Sequence, residues 1–227
     1  NIWALALIAV SIYTLFGIFQ SDNTKGKIVN GAVTAALWCG AIAIYRGLPS
    51  PLDIQPQLFQ QFNPFFVVAL TPVSMAIFSA LASKGKEPSA PRKIALGMLV
   101  AAVGYLIMIL ASVGQPSPAS IQGTVSPDPV IPQWLMGTYL TLTFAELLLS
   151  PMGISFVSKV APPKVKGLMM GLWFAATAVG NYLSSIPGLL WEKVPLWANW
   201  ALLMGLCLIA AAMMFAMLRK IEAATAE

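Results

Sequence analysis

The sequence predicts an all-α membrane protein with seven transmembrane helices. Of its 227 residues, 58% are hydrophobic and only 9% are charged, whereas a soluble domain carries about 25% charged residues. Spacing is the second observation. Seven apolar runs lie at roughly 2–19, 28–45, 62–82, 94–113, 134–157, 167–190 and 197–218, each close to the 17–25 residues that cross a bilayer core as a helix. The third is charge distribution, which gives these runs a consistent alternating direction.

The first run starts at Ile2 with no basic segment before it and no small-residue cleavage site after it, so it is not expected to be a signal peptide. The chain reads as a piece of a longer one. The two longest connections, 46–61 and 114–133, lack a periodic apolar pattern and read as irregular loops. Of the thirteen Lys and Arg residues, eleven fall on one side when the runs alternate: Lys25 and Lys27; Lys84, Lys86, Arg92 and Lys93; Lys159, Lys164 and Lys166; Arg219 and Lys220. Only Arg46 and Lys193 fall on the other. Cytoplasmic loops carry the Lys/Arg excess. The first run therefore starts outside and the C-terminus is cytoplasmic, with Lys86 inside and Gln122 outside. The net charge of +5 is thus accounted for by topology, and no nucleic-acid partner is expected; the lipid bilayer is.

Glu146 is the one acidic residue within these runs. A carboxylate at bilayer depth costs roughly 2.5–3.5 kcal/mol on insertion scales and usually faces a bundle interior or a wet cavity. It lies near the middle of the fifth run. Tyr139, Thr143, Glu146, Ser150 and Gly153 recur at helical spacing and form one polar face. Pro151 removes a backbone donor from the same helix and loosens its ladder near Leu147. A packing stripe would explain the hydroxyls, but not the carboxylate.

Asn63 precedes Pro64 at the outer start of the third run; an Asn in that position is more often a helix-start residue than a ligand, so by itself it is a weak signal. The sixth run carries Gly171, Ala175, Ala176, Gly180 and Ser184, small residues that permit close helix approach. Trp173 lies elsewhere on that helix, where packing or lipid contact is the plain reading.

Three stretches resemble the C-terminal half of the proton-dependent oligopeptide transporters, a branch of the major facilitator superfamily. Phe59-Gln-Gln-Phe-Asn-Pro-Phe-Phe66 is similar to the start of that family's eighth helix. Ala145-Glu-Leu-Leu-Leu-Ser-Pro-Met-Gly153, running on to Pro162, is similar to the tenth helix. Gly167-Leu-Met-Met-Gly-Leu-Trp-Phe174 through Asn181 is similar to the eleventh. The resemblance implies a C-terminal six-helix bundle over 28–227. Residues 1–27 would then supply a preceding helix, either the sixth or a lateral one, and a cytoplasmic loop. It also implies that Asn63 and Glu146 contact peptide in one cavity, that Glu146 takes part in proton coupling, and that Ser150 and Trp173 line or border that cavity. The partners implied are small peptides, protons and an N-terminal transporter half. The second run lacks the family's aromatic-rich seventh-helix motif with its Gln, so no residue there is assigned. The family's Glu-x-x-Glu-Arg motif and its fourth-helix Lys are also absent, and no transport is expected from these residues alone.

An enzyme is not expected. There is no His for a Ser–His dyad or a His metal site, and no intramembrane pair of Asp for an aspartyl protease. Cys39 and Cys207 sit in apolar runs without metal or redox spacing, so no metal or cofactor is expected. The alternatives are a carrier of the same superfamily for another small solute, such as nitrate, and a truncated membrane protein that does not transport.

Overall fold

The computed structural model describes residues 2–21, 23–47, 56–121, 126 and 130–225, all of whose regular structure is helical. Gln122 lies outside these residues. Among the described residues nine α-helices follow in order: α1 (Ile2–Gln20), α2 (Thr24–Arg46), α3 (Phe62–Ser83), α4 (Ala90–Ser112), α5 (Pro118–Ile121), α6 (Gln133–Val160), α7 (Lys166–Leu183), α8 (Ile186–Leu190) and α9 (Leu196–Thr225). Short 3₁₀ turns at Pro56–Gln61 and Pro163–Val165 lead into α3 and α7. The loops expected to be irregular therefore contain one such turn and the four-residue α5.

Five of the described helices are long and apolar enough to cross a membrane: Thr24–Arg46, Phe59–Ser83, Ala90–Ser112, Gln133–Val160 and Leu196–Ala223. The third of these, Ala90–Ser112, is the most deeply buried of the five. The other two expected spans are shorter. In α1 the apolar stretch is Ala6–Gln20. The sixth run is not one helix but two, α7 and α8, parted at Ser184 and Ser185. The physical reason is Pro187, which has no N–H to give to the Leu183 carbonyl and whose ring would crowd it in a continuous helix. In the first turn of a new helix, α8, the missing N–H costs nothing. The carbonyls released by the break are partly met by side chains. Ser184 Oγ donates to the Asn181 carbonyl at 2.6 Å and Ser185 Oγ to that of Tyr182 at 2.8 Å. From α9, Asn199 Nδ2 donates to the Pro187 carbonyl at 2.9 Å. Unmet buried backbone groups are costly, and these bonds offset part of that cost at the break.

The chain divides into two compact units, Asn1–Glu87 and Pro88–Glu227. In the first, α1 and α2 form an antiparallel hairpin and α1 also packs on α3. The hairpin seam is polar and narrow: Thr14 Oγ1 and Thr34 Oγ1 lie 2.7 Å apart, and Gly40 faces Leu7. Asn23 caps α2 by accepting from the Lys25 N–H. At the far end of α3, Gly85 adopts φ 63°. Its N–H donates to the Ala82 carbonyl and that of Lys86 to Leu81, both at 2.9 Å, which closes the helix with a left-handed turn that favours glycine.

In the second unit α4 packs against both α6 and α9. A Cβ on Gly97 would lie 3.0 Å from the Ala145 carbonyl oxygen, and one on Gly104 would lie 2.8 Å from Leu142 Cδ2. Glycine at these positions lets the two backbones approach. At the other contact, the start of α4 is tied to the end of α9: Arg92 grips Glu222 at 2.8 and 3.0 Å, and Ser89 Oγ donates to the same carboxylate at 2.5 Å. Eight of the ten buried hydrophobic residues described in the two units are alanines, so the helices are held by close backbone approach rather than by large interlocking side chains. The large apolar groups are outside; Phe19 and Tyr182 are each 80% exposed. That arrangement suits lipid as the surrounding solvent.

Candidate functional site

The polar face of α6 is built on a helix that stays regular through Pro151. Successive residues turn roughly 100° about a helix axis. Leu142, Leu148 and Leu149 contact α4, and the face that carries Tyr139, Thr143, Glu146, Ser150 and Gly153 lies to one side of that contact, its edge adjoining Leu142 and Leu149. Its members differ in burial. Thr143 is fully buried, Tyr139 is half-buried, and Glu146 and Ser150 are exposed on the second unit. Thr138 and Thr141, off this face, return their hydroxyl protons to the carbonyls of Trp134 and Gly137 at 2.9 and 2.8 Å, a local use that leaves only their oxygens, as acceptors, for any other partner.

Trp173 does meet this face. A Cβ on Gly153 would lie 2.5 Å from Trp173 Cζ2 and 3.3 Å from Cζ3, so the indole rests on the glycine, one turn along α6 from Ser150. Trp173 thus packs, and its packing partner is the last member of the polar face. Gly153 was legible as a small residue in the stripe; its role as the seat for a ring on another helix was not. The stripe of α7 behaves otherwise. Among the described residues, no neighbour from another element lies within 4 Å of a Cβ built on Gly171 or Gly180, and α7 has no buried residue.

Asn63 belongs to the first unit, as the second residue of α3 and half-buried there. It therefore does occupy a helix start. Around it Phe59, Phe62 and Phe66 form a ladder with ring centroids 5.9 Å apart at each step. The spacing of these three phenylalanines is a readable signal that sequence reasoning missed. Among the described residues no group of three His, Cys, Asp or Glu side chains is placed to hold a metal ion. What the α6 face offers chemically is a carboxylate that can bind a cation or a proton, beside a hydroxyl and an aromatic ring.

A protein-family model described as PTR2, POT family, matches residues 36–199. The chain is 33% identical over 175 residues to peptide transporter YePEPT of Yersinia enterocolitica subsp. palearctica, covering 77% of this chain and 29% of that protein. It is 37% identical over 136 residues to dipeptide and tripeptide permease B of Salmonella typhimurium, covering 58% of this chain and 26% of that one. Among solved structures, it is similar to a peptide transporter POT in complex with sulfate, with a TM-score of 0.65 and 21% identity over 98% of this chain and 47% of that one. The last similarity speaks to fold. The chain thus spans only 29% and 26% of the length of these two curated relatives. With a family match that runs from α2 into α9 and includes the polar face of α6, the chain is a multi-pass membrane protein that belongs to the POT family.

Proposed function

We propose that this chain forms the C-terminal portion of a carrier that couples inward proton movement to the uptake of di- and tripeptides. The observation that supports this most is the position of Glu146. A carboxylate exposed midway along an apolar 28-residue helix is costly against acyl chains, so its surroundings in the working carrier are water, substrate or another protein segment. Glu146 takes part in peptide binding and proton coupling; Asn63 contacts peptide; Ser150 and Trp173 border the binding surface. Desolvation favours the neutral carboxyl, and a peptide ammonium or a lysine of the remaining carrier favours the carboxylate. Switching between the two as access alternates links substrate to proton. Each proton moving inward gains about 2.3 kcal/mol per 100 mV, enough to concentrate a solute many-fold.

In this reading α1 and the α7–α8 pair also cross the bilayer, giving seven spans, of which the six after residue 27 form the C-terminal bundle of a major facilitator superfamily fold. The carrier resides in the cell's inner (plasma) membrane with its C-terminus in the cytoplasm. Single cysteines at Lys86 and Gln122 test the orientation: the first should label from the cytoplasm and the second from outside, and labelling of both from one side contradicts it. Function is tested with the full carrier in proteoliposomes. An inward proton gradient should drive accumulation of a labelled dipeptide, while labelled nitrate should not accumulate. Nitrate accumulation without dipeptide uptake would assign the carrier to the other solute class.

A further inference from the structure

The second unit holds a cleft of about 350 Å³ where α4 ends and α6 and α9 begin, beside the α7–α8 break. Among the described residues, no charged side chain lines it. That is the wrong chemistry for a peptide with two charged termini, because buried charges need partners. Its walls are aromatic: Tyr105 stacks on Trp200 with centroids 6.5 Å apart, and Trp191 meets Trp200 edge-on at 6.2 Å.

The polar groups in the walls have a definite pattern. Thr138 and Ser184 give their hydroxyl protons to backbone carbonyls, which leaves their oxygens as acceptors. The phenols of Tyr105 and Tyr139 make no hydrogen bond to any described residue and are available as donors. Behind them, Trp200 Nε1 is buried without an acceptor among the described residues, so this wall is incompletely satisfied as it stands. An apolar cavity of about 150 Å³ takes up benzene; the cleft therefore has room for a fused pair of rings.

We infer that this cleft binds a neutral fused-ring aromatic molecule bearing a hydroxyl group. The rings lie against Trp200 and Leu142, and the hydroxyl accepts from a tyrosine phenol while donating to Thr138 or Ser184. This site shares Tyr139 with the polar face of α6 but not Glu146, and it does not depend on the peptide-transport reading.

The probes are 2-naphthol and naphthalene, which share a ring system and differ by one hydroxyl. With the full carrier in lipid nanodiscs, equilibrium dialysis against empty nanodiscs should show saturable binding of 2-naphthol, one molecule per chain, at least tenfold tighter than naphthalene. The double variant Tyr105→Phe/Tyr139→Phe keeps both rings and should bring 2-naphthol down to the naphthalene level, with naphthalene itself unchanged. Should that variant not fold, Ser184→Ala should still weaken 2-naphthol several-fold. Binding that does not saturate, or 2-naphthol affinity equal in wild type and the folded variants, would mean partition into lipid only and would overturn the site.

Discussion

Two helices of the second unit, α4 and α7, use small residues in opposite ways. On α4, Gly97 and Gly104 stand seven residues apart, and both are filled: the backbone of α6 at Ala145 and the side chain of Leu142 occupy the space a Cβ would need. On α7, Gly171 and Gly180 belong to a longer and more regular run of small residues, and among the described residues neither has a neighbour from another element within 4 Å of a Cβ placed there. The more conspicuous pattern is the open one. Small-residue spacing reports that a helix can be approached closely; it does not report whether the approaching helix lies in the same chain.

This contrast predicts a ranking of substitutions. Gly97→Leu should be the most damaging, because the group it meets is a backbone carbonyl that cannot swing aside. Overpacking of this kind costs about 1–3 kcal/mol, read as a lowered midpoint in thermal unfolding of the purified protein. Gly153→Ala should follow, at roughly 1 kcal/mol, because the Trp173 ring can move off its seat. A shift in tryptophan emission that disappears when Trp173→Phe is added would identify the ring as the group displaced. Gly180→Leu should be the mildest, within about 0.5 kcal/mol, as for surface positions without contacts. If Gly180→Leu destabilised the chain as much as Gly97→Leu, the distinction between a filled and an open stripe would be wrong.

Much of the fold was legible because a bilayer asks for so simple a signal. Uninterrupted apolar runs marked α1 to α4 and α6 to within four residues, and α9 at its start; α9 continues seven residues past the run, to Thr225. The break between α7 and α8 was missed although Pro187 announced it, because apolar character continues across Ser184 and Ser185 to Leu190. Asn199, the lone amide in the last apolar run, could not be paired in advance with the Pro187 carbonyl: such a bond depends on how α9 lies beside the break. The α6 face was legible in full as a spacing. Its division into a buried Thr143 and an exposed Glu146 depends on neighbouring helices and was not. Nor was the seating of Trp173 on Gly153, since residues on successive helices meet only through tertiary packing.

The central claim is that Glu146 couples protons to peptide movement, and it is tested most directly by Glu146→Gln in the full carrier. The amide keeps the size and hydrogen-bonding capacity of the carboxyl but cannot exchange a proton at working pH. Proton-driven accumulation of a labelled dipeptide should be abolished, with expression and membrane insertion as in wild type. Counterflow exchange, which needs no net proton movement, should persist. Accumulation at the wild-type level in this variant would contradict the assignment and place the coupling group outside this chain.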